Sequence, residues 1–354
     1  MKFEFFKKKI WGAAYNEAGV FAVLATRRGR QILLQHVIRG RLEDSAECKS
    51  LKKSFATQTF YIPVGAGHCF LNHWQDVPAH ARKKKMPPEV TTPNLSLKNI
   101  GDLNAVKSSE VALAVRTQME AHCSFANPVV SFCRRRLAGG GEALGAALPE
   151  EVIRQDLQFW GAFGFLLPSI GLDAMAQLNL FLAFADESMR SEWVLLIYSN
   201  SHESTCFQLL RNNQLQLHFE TPRELLGLGD EAMAQLLDGA IRQAQRCEAF
   251  RIVRDTLAAY RVGPDCKEPI PDTLLTRVVF ISWAYGEMQG DNSMAGDVEQ
   301  INRLGPRLAA LGLQAHYFDP LESPNLKTPD KYKKFLSANR LLAQKAIGMA
   351  LQGL

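Results

Sequence analysis

Metal-ligating side chains crowd together in His68-Cys69-Phe70-Leu71-Asn72-His73, where two imidazoles and a thiol raise the question of zinc. The spacing argues against it. On a strand, side chains an odd number of residues apart face opposite sides, so His68 opposes both Cys69 and His73. The histidines are read as structural. The seven cysteines form no CxxC pair and are odd in number, and Cys206 stands directly before Phe207. That usage reads as reduced, mostly buried thiols of a cytosolic chain. Phosphate-binding chemistry is suggested by Lys7-Lys8-Lys9, Arg82 to Lys85 and Arg134-Arg135-Arg136. A nucleic-acid binder would interleave aromatics and carry a recognition motif, and neither accompanies these runs. With 41 basic and 36 acidic residues the net charge is only +5, so the runs read as solvated surface with a weak attraction to an anionic membrane.

The scaffold that must position such groups is large. A chain of 354 residues is too long for one compact core and suits two lobes. At 47% hydrophobic and 22% charged residues it has apolar surface enough to exclude a disordered chain. The best apolar run, Val20 to Ala25, is too short for a bilayer span and stops at Arg27-Arg28, so a soluble protein is expected. The opening Phe3, Phe5 and Phe6 beside the lysine run could touch lipid headgroups with weak binding, or form a disordered tail. As a signal peptide the segment fails, because Asn16 and Glu17 interrupt what would be its apolar core.

Along the chain, strand patterns cover Ile10 to Ala14, Val20 to Leu24 and Gln31 to Ile38, joined by hairpin-length turns. A helix is expected over Leu42 to Lys53, then a strand from Thr59 to Val64. Residues 78–107 read as an irregular loop, followed by a helix with Val111, Val115 and Met119 at four-residue spacing. Val129 to Cys133 and Ala143 to Leu148 read as strands around Gly139-Gly140-Gly141. Pro149-Glu150-Glu151 opens a helix whose buried stripe is Ile153, Leu157, Trp160 and Gly164. Asp173 to Ala185 is a further helix, ended by Asp186-Glu187-Ser188. The opening pattern then recurs as strands Trp193 to Tyr198, Thr205 to Leu210 and Leu215 to Phe219, with Asn212-Asn213 as the tight turn. Helical sequence runs from Asp230 to Tyr260, and Arg277 to Ile281 is a buried strand. A helix ends at Gly312, a short strand spans Ala315 to Phe318, and one final helix covers Ser337 to Leu351.

Two β-meanders, each followed by helices and further strands, resemble the two-lobed actin-like ATPase superfamily, and within it the PilM family of type IV pilus assembly proteins. The segments that carry the resemblance are Phe5-Phe6-Lys7-Lys8-Lys9, Thr59 to Ala79 and Val111 to Arg136. Ala143 to Phe181 and the closing Ala346-Ile347-Gly348-Met349-Ala350-Leu351 complete the set. Together they cover most of the chain in the family's order. The resemblance implies an α/β fold with mixed sheets, two-lobed, actin-like (ribonuclease H-like), with a small inserted subdomain in the first lobe. The first lobe would span 1–185, with the insertion at about 78–168, and would be completed by the C-terminal helix 336–354. The second lobe would span 186–335 with a reduced outer subdomain.

An ATP site in this fold needs carboxylates for magnesium and glycines that let backbone approach the phosphates. Where the family pattern resembles Gly-Ile-Asp-Ile-Gly, this chain reads Gly12-Ala13-Ala14-Tyr15-Asn16, with Ala14 where the Asp would fall. The second phosphate turn, Tyr198-Ser199-Asn200-Ser201, offers Ser199 in place of an acid. The expected Gly-rich adenine loop is Ser282-Trp283-Ala284-Tyr285-Gly286, whose side chains would crowd a base. The cleft residues Asn16, Ser199, Asn200, Ser201, Ser282, Trp283 and Gly286 are therefore expected to be vestigial, with no catalytic residue, metal ligand or cofactor. A polar turn residue such as Asn16 or Ser199 commonly satisfies its own backbone.

The resemblance implies a non-catalytic cytoplasmic scaffold of a pilus or related secretion machine, peripheral to the bacterial inner membrane. Its partner would be the cytoplasmic N-terminal peptide of a PilN-like membrane protein, held in a first-lobe groove by strand and pocket docking. A pilus assembly motor ATPase is a further implied partner; nucleic acid is not. The alternative is a working actin-like ATPase or kinase with ATP and magnesium, in which Asp173, Asp186 or Asp297 would hold the metal. A degenerate actin-like module with an unrelated partner is the third reading.

Overall fold

The computed structural model describes residues 8–16, 19–40, 60–64, 70–77, 117, 119, 123, 128–137, 140–162, 169–199, 204–222, 276–281 and 314–354. Strands β1 (Lys9–Asn16), β2 (Gly19–Arg28) and β3 (Gln31–Gly40) form an antiparallel meander. The two-residue turn between β2 and β3 contains Gly29 at φ +63°, a backbone setting that glycine adopts without steric penalty. On the other side of β1 lie β4 (Phe60–Val64) and β8 (Ser169–Leu172), both parallel to it. The short β14 (Leu326–Lys327) closes the far edge, giving the order β14-β3-β2-β1-β4-β8.

The second sheet repeats this plan. A meander of β9 (Trp193–Ser199), β10 (Ser204–Arg211) and β11 (Gln214–Pro222) is followed by parallel β12 (Thr276–Ile281) and β13 (Gln314–Phe318). Its order is β11-β10-β9-β12-β13, so in both sheets the first strand of the meander becomes the central one. Asn212 and Asn213, at φ +50° and +63°, make the tight turn; Asn tolerates this left-handed region better than most residues. A third sheet, in the order β5-β7-β6, is formed by β5 (Phe70–Val77), β6 (Pro128–Leu137) and β7 (Gly140–Pro149).

Helices cover both faces of the first sheet. Helix α1 (Glu150–Ala162) starts on two acids, which suit the positive end of a helix dipole. It lays Ile153, Leu157 and Trp160 against Trp11, Ala13 and Ile62. The opposite face meets α2 (Asp173–Phe184) and the C-terminal α4 (Arg340–Gly353), which follows α3 (Asp330–Ala338). One apolar cluster contains Phe21 and Val23 of the first sheet, Phe181 of α2, Ile347 of α4, and Val194, Leu196 and Tyr198 of the second sheet. Helix α2 is apolar nearly all round, as a helix held between two sheets must be.

Both meanders, the stripe Ile153, Leu157 and Trp160, and the strands near 60–64, 128–137, 140–149, 276–281 and 314–318 agree with the sequence reading. Gly164, the helices expected over Leu42 to Lys53 and Asp230 to Tyr260, the helix ending at Gly312, and the loop 78–107 lie outside the described residues. Of the helix expected around Val111 and Val115, only Thr117, Met119 and Cys123 are described; the first two are helical, Met119 is fully buried, and Cys123 is not in the helix although its N–H donates to Met119 O at 2.9 Å. The tail is corrected: it is two helices rather than one. Asn339 leaves helical geometry at φ −130°, ψ 43°, and its side-chain Nδ2 donates to Phe335 O at 2.8 Å, capping the end of α3.

Candidate functional site

Two of the cleft positions singled out in sequence, Asn16 and Ser199, fall at the ends of the two central strands. Asn16 is the last residue of β1, opposite Gly19, and Ser199 is the last of β9, opposite Thr205. These are equivalent places in the two sheets. Asn200, Ser201, Ser282, Trp283 and Gly286 lie outside the described residues, as do Asp297, His68 and Cys69. His73 lies on β5. Cys206, on β10, is fully buried.

The alternation of β1 decides what its end can do. Trp11, Ala13 and Tyr15 face α1, and Ile10 and Ala14 face the helices α2 and α4. Ala14 is fully buried within the apolar cluster. Gly12, between Ile10 and Ala14 on the same face of the pleat, touches α4 so closely that a Cβ would overlap the backbone of Ala346 and Ala350. Gly348 of α4 is packed in the same manner against the backbone of Ala176 in α2. Strand, helix and helix are thus stacked at backbone contact at the middle of β1.

Two buried ion pairs hold α4 in that stack. Lys345 Nζ donates to Asp173 Oδ2 at 3.0 Å, joining the middle of α4 to the first residue of α2. Both groups are buried, and Asp173 also gains from its place at a helix N-terminus. Arg340 Nη1 lies 3.0 Å from Asp319 Oδ2, while Asp319 Oδ1 accepts from Leu321 N at 2.9 Å and caps the short turn Pro320–Glu322. Burial pushes the Asp319 carboxyl above its ordinary range, against the pull of Arg340. Asp186, by contrast, is exposed at the start of the turn Glu187–Met189.

On the other face of β1, Tyr15 donates its hydroxyl to Asp156 Oδ1 at 2.8 Å and stacks on Phe159, with ring centroids 4.2 Å apart. Burial first, and then the Asp156 charge, push the Tyr15 hydroxyl well above its ordinary range, so it stays a neutral donor. At the second sheet, Ala174 O in the first turn of α2 accepts from Tyr198 Oη at 3.2 Å and from Gln208 Nε2 at 2.5 Å. Gln208 also lies 3.3 Å from Nδ1 of buried His218, its ladder partner on β11. Burial lowers the His218 imidazole to about 4, which keeps it neutral.

None of these polar links was anticipated, although Lys345 and Arg340 carry a signal: charges inside an otherwise small and apolar helix. No protein-family model and no curated protein matches the chain. Among solved structures it is similar to the PilM-PilN type IV pilus biogenesis complex, at 16% identity and a TM-score of 0.53, with 98% of this chain and 99% of that chain covered. A Bacteroides thetaiotaomicron protein with an actin-like ATPase fold aligns at 7% identity over 90% of this chain and 93% of that chain, with a TM-score of 0.39. The cytoplasmic domain of EpsL, an inner membrane component of the type II secretion system of Vibrio cholerae, aligns at 12% identity over 77% and 82%, with a TM-score of 0.32. With its two sheets of matching strand order and a full-length likeness to the PilM-PilN structure, the chain has a mixed α/β fold of the actin-like kind.

Proposed function

We propose that this protein is a non-catalytic scaffold of a type IV pilus or related secretion machine. It works at the cytoplasmic side of the inner membrane and captures the N-terminal cytoplasmic peptide of a PilN-like membrane protein. The observation that carries the non-catalytic part is the filling of the metal position. Ala14, where the family resemblance would place the first carboxylate, is core, and Asp173, a nearby acid, is already neutralised by Lys345 at 3.0 Å. Magnesium needs several oxygen ligands around one point, and ATP needs the cation to offset its charge. Magnesium-ATP does not fit this donor set. The partner is supported by the sequence resemblance and by the likeness to a structure whose chains are PilM and PilN.

An extended peptide docks by pairing with strands and filling pockets between alternate side chains. The first lobe and its three-stranded sheet, with β6 at one end of the order, supply the strand surface for that mode. A pilus assembly motor ATPase would be a second partner of the same scaffold.

The decisive experiment is fluorescence anisotropy with the labelled N-terminal peptide of the PilN-like protein from the same cell. Saturable binding is expected, together with an unchanged melting temperature up to millimolar magnesium-ATP. No peptide binding would remove the scaffold reading. Magnesium-dependent stabilisation by ATP would replace it with the actin-like ATPase or kinase.

A further inference from the structure

The first sheet collects positive charge at one end. Lys9 at the start of β1 pairs with Thr26 of β2, and Thr26 Oγ1 donates to Lys8 O at 3.1 Å. Arg28 pairs with Gln31 across the tight turn that holds Arg30, and Arg27 pairs with Ile32. Leu326 pairs with Ile32 as well, which brings Lys327 of β14 to the same end. Lys8, Lys9, Arg27, Arg28, Arg30 and Lys327 are all exposed, and among the described residues no carboxylate forms an ion pair with any of them. From Lys8 to Gly40 the sequence has a single acid, Glu17, which falls between the β1 and β2 segments in sequence. This one sheet end therefore carries more positive charge than the +5 net of the whole chain.

We propose that this sheet end is a docking surface for the anionic headgroups of a phospholipid bilayer. Clustered lysines and arginines gain roughly 1 kcal/mol each at such a surface, so the patch suffices for reversible attachment without a spanning helix. In the sequence, Phe3, Phe5 and Phe6 stand just before Lys7 and Lys8. Aromatic side chains next to lysines suit the boundary between headgroups and acyl chains. That pairing favours lipid over nucleic acid, whose recognition would call for stacking or groove-reading elements at the patch. The inference extends the scaffold reading by naming the face turned to the membrane.

The test is flotation of the full-length chain with vesicles of phosphatidylcholine alone and of phosphatidylcholine mixed with phosphatidylglycerol, with no peptide present. Binding is expected only to the mixed vesicles and should weaken as salt is raised. Combined Arg27→Ser, Arg28→Ser and Arg30→Ser should lower partitioning on the order of a hundredfold, and Lys327→Ser alone about fivefold. All four residues are exposed, so the melting temperature and PilN-like peptide affinity should stay unchanged, which separates failure here from failure of the scaffold reading. Equal binding to neutral vesicles, or full binding by the triple variant, would overturn the proposal. So would salt-sensitive binding of oligonucleotides without vesicle binding.

Discussion

The two sheets share a five-strand order, to which the first adds β14, but meet the helices between them by different means. On the first sheet the contact is steric. Gly12 and Gly348 remove side chains so that β1, α4 and α2 touch backbone to backbone. On the second sheet the central strand keeps its side chains, with Val194, Leu196 and Tyr198 all buried against α2. There the contact is completed by directed hydrogen bonds, as Tyr198 and Gln208 both donate to Ala174 O. Steric contact tolerates no added atom, whereas a hydrogen-bonded contact depends on the polarity and protonation of its partners. The same topology therefore has one side sensitive to volume and one sensitive to chemistry.

The largest effect should come from volume on the first side. Gly12→Val or Gly348→Val places a branched side chain where even a Cβ overlaps backbone, and neither strand nor helix can retreat without breaking its own ladder. Each should cost more than ~4 kcal/mol and leave mostly unfolded protein in a urea titration followed by circular dichroism. Gly29→Ala is the control. Nothing lies near its added Cβ, and only the left-handed backbone at φ +63° opposes it, at about 1 kcal/mol. Comparable losses at Gly12 and Gly29 would show that backbone strain, and not close packing, governs the first side.

Much of this fold was legible in the sequence, because turns and strands are local. The turns at Gly29 and Asn212-Asn213 stand where residue type and tight spacing put them, and Ile153, Leu157 and Trp160 make a buried stripe by helical arithmetic alone. The break at Asn339 was not legible, since the apolar spacing continues across it and the stop is marked by local bonds of Asn339 to Phe335 O and Leu336 O. The candidate site was harder still. Absence of an acid at position 14 is visible in the sequence, but its burial depends on α4, which packs there from the far end of the chain. Asp173 looks available to a metal until Lys345, 172 residues away, is seen to hold it. Partners so distant in sequence leave no periodic trace.

That ion pair offers the next test, because it is a buried polar link that ties α4 directly to α2 on the sterically packed side. Lys345→Met strands the buried Asp173 carboxylate and should cost about 3–5 kcal/mol. Adding Asp173→Leu removes the stranded charge and should recover most of the loss, giving a coupling of at least ~2 kcal/mol in a double-mutant cycle. Additive losses would mean that the pair is not coupled, and that this link adds nothing to the packing of the first side. A gain of magnesium-ATP binding in Lys345→Met would instead show Asp173 to be a metal ligand held in reserve.

The smallest effect, and the one specific to the second side, is the pH response of His218. Its imidazole lies in a fully buried position facing the Gln208 amide, and burial lowers it from 6.5 to about 4. Gln208 Nε2 has two N–H groups; with one on Ala174 O, the other finds an acceptor in the neutral ring. As pH falls below 6.5, the unfolded chain binds a proton that the folded chain refuses until about 4. Unfolding then takes up protons, so stability present above pH 6.5 is lost progressively down to about 4. A shift of this size corresponds to on the order of 3 kcal/mol. Carboxylates titrate in the same window, so the measurement is the difference between wild type and His218→Gln in urea midpoints across that range. The variant should lose less stability on acidification, while the mild first-side variant Gly29→Ala, which touches no titratable group, should keep the wild-type slope. If His218→Gln keeps that slope too, the contact at Ala174 does not depend on a neutral ring, and the chemical sensitivity assigned to the second side resides in Tyr198 and Gln208 alone.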